Sequence, residues 1–327
     1  MHRRAFAGLV AALAALATLA ALALPAAAAD AFPAHPLRIS LHIGPGSSGD
    51  GVSRYVADRL GAALGQAVVV ENRPGAEGLL SVQNVLNAPA DGYSILLISP
   101  TMVTGPMMNK AVQYDLQRDF RVLSFLYRSP AMLATGADSK YKSIGQLLTQ
   151  MRASPGSVSM ADYGNSYRVG AIVLTQEAQV KVNPISYKTS SQMNADLIGG
   201  AVDVALTDSG STLPLVRAGK IRALAVASKT RLADLPAVPT LKESGVPDYD
   251  LYVWVGLAVR KQTPEPVVRR LQQELAKIVG APEFPKFLTT FSGAEPMPVT
   301  GEAAAQEIAR ETVRFRKAVD TMDLSQR

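Results

Sequence analysis

Leu37-Arg38-Ile39-Ser40-Leu41-His42-Ile43-Gly44-Pro45-Gly46-Ser47-Ser48-Gly49-Asp50 is the stretch on which the fold turns. Leu37–Ile43 has the apolar content of a buried strand. Beyond the glycines, Val52, Tyr55, Val56, Leu60, Ala63 and Leu64 fall at helical spacing. Gly44–Gly49 is therefore a literal G-x-G-x-x-G between a strand and a helix, and Glu71 stands 22 residues past Gly49. In that context the pattern is the dinucleotide fingerprint. The physics of the loop is more general, because free N–H groups and the positive end of a helix dipole attract any anion, a carboxylate included. A third reading is a plain strand–helix turn with Ser47 or Ser48 as N-cap.

The same rhythm spreads outward. Val68-Val69-Val70 reads as a short buried strand, Leu79, Val82 and Leu86 mark a helix, and Ile95–Ile98 is a third strand. Strand–helix repeats at this pitch imply an α/β fold whose parallel-type sheets are covered on both faces. Phe120–Tyr127 is an apolar strand with no helix after it; Ser129-Pro130 reads as a turn into another strand at Ala131–Thr135. The alternation then resumes. Ser143 caps a helix to Arg152, Val158–Ala161 is a strand, and Val169–Leu174 belongs to a helix. Val202–Leu206 and Ile221–Ala227 are strands. Leu251–Val259, carrying the single tryptophan, Trp254, is strongly strand-like and leads into two helices. Two α/β units joined by two crossing strands imply a hinge around a cleft. The expected domains are 30–127 with 252–327, and 128–251.

The N-terminus places these domains. Met1–Arg4 is basic, Leu9–Leu24 carries no charge, and Pro25 precedes Ala26-Ala27-Ala28-Ala29. This is the pattern of a secretory signal peptide over residues 1–29, and its apolar run of 16 residues falls short of the roughly 20 a membrane-spanning helix needs. The mature protein is expected in the periplasm, away from the cytosolic nicotinamide pool, which counts against a dehydrogenase. Cleavage would remove Arg3 and Arg4 and no acid, taking the net charge from +6 to +4. That balance, with no dense basic run, gives no support for nucleic-acid binding. Cysteine is absent, and only His35 and His42 remain after processing. Thiolate chemistry is excluded, a His/Cys zinc site cannot be assembled, and a Ser-His-Asp triad would need one of those two histidines. His42 reads as a satisfied strand residue.

The chain resembles the periplasmic receptors of tripartite tricarboxylate transporters, the Bug/Tct-type proteins. The resemblance runs through Pro36-Leu37-Arg38-Ile39 before Gly44–Asp50, and through Val70-Glu71-Asn72-Arg73-Pro74-Gly75-Ala76. It continues in Ala88-Pro89-Ala90-Asp91-Gly92-Tyr93, Asp196-Leu197-Ile198-Gly199-Gly200 and Gly219-Lys220-Ile221-Arg222-Ala223-Leu224-Ala225-Val226. Leu235-Pro236-Ala237-Val238-Pro239-Thr240 completes the set. It implies a two-domain Venus-flytrap receptor, without catalysis or cofactor, that closes on a small organic carboxylate and delivers it to membrane permease subunits. Its ligand loops correspond to Gly44, Pro45, Gly46, Ser47, Ser48 and Asp50, and to Ser99 and Thr101 after the third strand. In the other half they correspond to Tyr163, Asn165, Ser166 and Arg168, and to Tyr187, Lys188 and Asp208. The match departs from the family pattern at Glu77, where glycine is usual, and in the shorter loop Asp162–Arg168.

Several of these residues have an ordinary reading as well. Arg168 opposes the dipole at a helix start, so it either forks onto a carboxylate or points to solvent or Asp162. Tyr163 and Tyr167 line a wall or cover the loop. Lys188 contacts ligand or is solvated, Asp50 caps the first helix or receives a ligand donor, and Trp254 belongs to the core. Two other functions compete: an exported α/β enzyme using the glycine loop as an anion site, and a receptor that feeds a sensor protein.

Overall fold

The computed structural model describes residues 32–109, 111–247, 249–290 and 293–320. The signal-peptide reading of residues 1–29 lies outside them. The opening strand β1 (Leu37–Leu41) buries Leu37, Ile39 and Leu41 completely and leads into helix α1 (Ser48–Leu64). Strand β2 (Val68–Asn72), helix α2 (Leu79–Leu86), strand β3 (Ser94–Ile98) and helix α3 (Pro100–Met108) follow. β2 is an edge strand with Val69 48% exposed, not the buried strand its three valines imply. A short helix α4 (Leu116–Asp119) precedes the longest strand, β4 (Phe120–Gly136).

The two strands expected at Phe120–Tyr127 and Ala131–Thr135 are thus one strand of 17 residues. Pro130 reads as a break because it lacks an N–H for the ladder. It sits where β4 changes partners, so little pairing is lost. Up to Pro130 the strand pairs with β9 (Tyr252–Arg260), and from Ala131 it pairs with β7 (Val204–Asp208). From Met132 it also pairs with β8 (Ile221–Val226). At the changeover three backbone bonds knit the chain: Ala131 N–H to Leu251 O at 2.7 Å, Leu251 N–H to Ala227 O at 3.0 Å, and Ala227 N–H to Ala131 O at 2.8 Å.

Between these lie helix α5 (Ile144–Ala153), strand β5 (Ser159–Tyr163), helix α6 (Asn165–Glu177), strand β6 (Asn183–Tyr187), helix α7 (Ser190–Ile198) and helix α8 (Ser209–Arg217). After β9 come α9 (Glu265–Gly280), α10 (Glu283–Leu288), the two-residue strand β10 (Glu295–Pro296) and α11 (Gly301–Asp320). The sheet order is β2-β1-β3-β9-β4-β7-β5-β6, with β8 and β10 also on β4. Pairing is parallel within β2-β1-β3 and within β7-β5-β6, and antiparallel through β9 and β4 between them. Parallel strands covered on both faces become nearly continuous apolar runs, and Ile95–Ile98 and Val204–Leu206 are fully buried accordingly. Trp254 is core, as expected, with its ring 4.6 Å from that of Phe125. No described helix is long and apolar enough to cross a membrane.

Candidate functional site

In a parallel sheet every helix that follows a strand begins at the strand's carboxyl end, so helix N-termini collect along one edge. Here three antiparallel pairings separate β3 from β7, so the two parallel sets run in opposite senses, and the carboxyl ends of both supply helix starts: β1 leads to α1, β3 to α3, β5 to α6, β6 to α7 and β7 to α8. Their N-cap residues Ser47, Ser99, Gly164, Thr189 and Asp208 all line one cavity of about 640 Å³. That volume suits a small molecule. The first N–H groups of a helix have no internal partner and carry the positive end of its dipole. Side chains cap four of the five. Ser47 Oγ accepts from Asp50 N–H at 3.3 Å, and Ser99 Oγ from Thr101 N–H at 3.3 Å. Thr189 Oγ1 accepts from Gln192 N–H at 3.3 Å and Asp208 Oδ1 from Ser211 N–H at 2.6 Å. α6 starts on Gly164 at φ 73°, a left-handed angle glycine tolerates, and has no side-chain cap. Its first turn is the one open to an external anion, and it carries Arg168.

Thirteen of the fifteen residues expected at the site line this cavity: Gly44, Pro45, Ser47, Ser48, Ser99, Thr101, Tyr163, Asn165, Ser166, Arg168, Tyr187, Lys188 and Asp208. Gly46 and Asp50 do not. Asp50 Oδ2 accepts from Gly46 N–H at 3.1 Å and Arg54 Nε at 3.2 Å, and Oδ1 from Arg54 Nη2 and Asn72 Nδ2, each at 2.9 Å. Burial opposes its ionisation, but the bonds from Arg54, Asn72 and Gly46 outweigh that and hold the carboxyl below its usual range. With its oxygens so occupied, Asp50 braces the glycine loop from behind. Glu71 is bound to Arg73 at 3.0 Å, off the cavity, so the fingerprint lacks its ribose-binding acid.

Asp208 lines the cavity, yet its carboxylate is also filled. Oδ1 accepts from Ser48 Oγ at 2.5 Å, and Oδ2 from Ser211 Oγ at 2.6 Å and from the Tyr163 hydroxyl. It is a clasp across the cavity, tying α1 to β7. Thr101 and Ser166 meet at 3.4 Å in the same sense, while Ser129 and the fully buried Ser209, which does not line the cavity, meet at 2.8 Å. Tyr163 and Tyr167 stack with ring centres 4.7 Å apart, and burial pushes both phenols well up, so they remain neutral donors. Lys188 is exposed at the rim.

The structure adds residues the sequence reading left out. His42 lies just past β1 and is not satisfied: Nε2 meets Ser99 Oγ at 2.9 Å, while Nδ1 has no partner. Burial lowers its pKa to about 4, against a weaker pull from the Leu97 backbone, so the ring is neutral. Gly75, Ala76, Glu77 and Gly78 form a turn with φ of 116°, 45°, 56° and 88° along the cavity. Left-handed angles in Ala76 and Glu77 are strained. Tyr127, Ser129, Val253 and Val255 line it from β4 and β9. Asp162 completes it. Burial pushes this carboxyl up to about 6, opposed by a 2.9 Å bond from Ser186 Oγ and by the nearby charge of Arg168.

Known proteins share this plan. Residues 52–324 match the family described as tripartite tricarboxylate transporter family receptor. Protein BugT of Bordetella pertussis is 30% identical over 294 residues, covering 88% of this chain and 89% of BugT. The UPF0065 protein in the tcbD-tcbE intergenic region of Pseudomonas sp. strain P51 is 32% identical over 292 residues, 88% of this chain and 87% of its own. Among solved structures, the periplasmic binding protein BugD superposes with a TM-score of 0.82 at 27% identity, covering 88% of this chain and 98% of BugD. R. palustris Rpa4515 with adipate does so at 0.84 and 26%, covering 89% and 98%. Fold and sequence agree: the chain belongs to the tripartite tricarboxylate transporter receptor family.

Proposed function

We propose that the protein is an exported receptor that captures a small organic carboxylate in this cavity and delivers it to a membrane permease of the tripartite type. The observation that carries the reading is the uncapped first turn of α6, with Arg168 beside it, among the five helix starts that line the cavity. Backbone N–H groups and a guanidinium fork complement a carboxylate both in charge and in geometry. Rpa4515, at 26% identity, holds adipate, a ligand of this chemical class. Residues 30–127 with 252–327 would form one lobe and 128–251 the other. Bending would fall where β4 changes partners and near Leu251–Val255, because only there would backbone angles need to change. A ligand that touches both lobes favours the closed form by its differential affinity. Signal-peptide character at 1–29 supports export.

A thermal-shift screen with a panel of small carboxylates, NAD and NADP tests the reading. A carboxylate at about 100 times its dissociation constant should add about 2.7 kcal/mol of stability. Stabilisation by NAD alone, with none by any carboxylate, would overturn it.

A further inference from the structure

Asp162 at the end of β5 and Arg168 in the first turn of α6 both face the cavity, and neither is satisfied. Asp162 is 2% exposed; its Oδ1 accepts from Ser186, and no donor among the described residues reaches Oδ2. Arg168 is half-buried, and among the described residues its guanidinium has neither an ion pair nor a hydrogen bond. A carboxylate this far withdrawn from bulk water, whose one open oxygen meets only the cavity, is costly to keep ionised unless something in the cavity completes it. The other charges around the cavity do not supply that. Lys188 is exposed, His42 is neutral, and Asp208 is already filled by Ser48, Tyr163 and Ser211. Glu77, a third acid on the wall, has Oε2 buried without a partner.

A dicarboxylate would satisfy Arg168 and the open turn of α6, but its second charge would enter a space already lined by three acids, Glu77, Asp162 and Asp208. A molecule with a carboxylate at one end and a protonated amine at the other completes both open groups at once. We propose that the ligand is an amino-carboxylate, its carboxylate held by Arg168 and the first turn of α6 and its ammonium received by Asp162. This rests on the receptor reading and narrows its ligand class. A hydroxyl in place of the amine could also donate to Asp162, but it would leave the negative charge of the wall uncompensated.

Calorimetric titration with matched pairs decides it: succinate against γ-aminobutyrate, glutarate against δ-aminovalerate, adipate against ε-aminocaproate, and propionate against L-alanine, with γ-hydroxybutyrate as the neutral-donor arm. In the wild type at neutral pH, at least one amino-carboxylate should bind about tenfold or more tighter than its partner lacking the amine. The substitution Asp162→Asn should erase or reverse that preference while leaving an intact thermal transition. Equal or tighter binding of the dicarboxylates, a preference untouched by Asp162→Asn, or γ-hydroxybutyrate matching γ-aminobutyrate would overturn the assignment and leave the carboxylate receptor standing. If no compound of the panel bound, both readings would fall.

Discussion

Two aspartate–arginine pairs flank the glycine loop and the α6 turn, and they are built in opposite ways. Asp50 and Arg54 are neighbours on one helix face, joined at 2.9 Å, with Asn72 and the Gly46 N–H filling the remaining positions. Asp162 and Arg168 lie on the same wall of the cavity, close enough to feel each other's charge but not joined. The first pair is complete within the protein, so it serves structure. The second leaves a carboxylate oxygen and a guanidinium open toward the cavity. What separates a charge left available to a ligand from a structural one here is whether its hydrogen bonds are already filled, and residue type says nothing of that.

The sharpest way to test the contrast is the pH dependence of the free protein. The raised pKa of Asp162 means that the folded state holds this proton more tightly than the unfolded chain does. Its stabilising share is therefore present below about pH 4 and lost as pH rises through about 6. Above that, the ionised group should cost up to about 3 kcal/mol. Asp162→Asn is thus expected to stabilise the ligand-free protein by about that amount at pH 8 and hardly at all at acid pH, as read by denaturant unfolding. No gain at pH 8 would mean the carboxylate is solvated or paired in solution. A smaller effect is expected at the strained turn. Glu77→Gly should raise stability by about 1 kcal/mol by relieving the left-handed backbone at φ 56°. A loss in the same unfolding assay would show that the carboxylate is held by contacts that outweigh the strain.

Much of the α/β order was legible because apolar periodicity records which face of each element is buried. Helix α3 was not. Pro100, Gly105 and Pro106 interrupt any periodic pattern, so Ser99–Thr101 read as a loop although Ser99 is an N-cap. β4 was split for a related reason, since Pro130 breaks a ladder only where the ladder is continuous. The loops that form the cavity were legible through the family resemblance. The division of labour within them was not, because it depends on contacts between residues far apart in sequence. Asp208 is consumed by Ser48, Tyr163 and Ser211, and Asp50 by Arg54 and Asn72. His42 and Tyr127 come to the cavity only through strand order. Glu77 had left a trace as a carboxylate where the family pattern has glycine, and its positive φ supplies the physical reason that departure is unusual.

One paired measurement tests the contrast most directly: calorimetry and thermal unfolding of Arg54→Ala and Arg168→Ala with the carboxylate that gives the largest thermal shift. Arg168→Ala should weaken binding by about 1.5–3 kcal/mol, the worth of a hydrogen bond to a charged group, with little change in the melting midpoint. Arg54→Ala should lower the midpoint and cost less affinity, because it loosens the brace behind the glycine loop and removes no open donor. The reverse pattern, with full affinity in Arg168→Ala and lost affinity at unchanged stability in Arg54→Ala, would contradict the account.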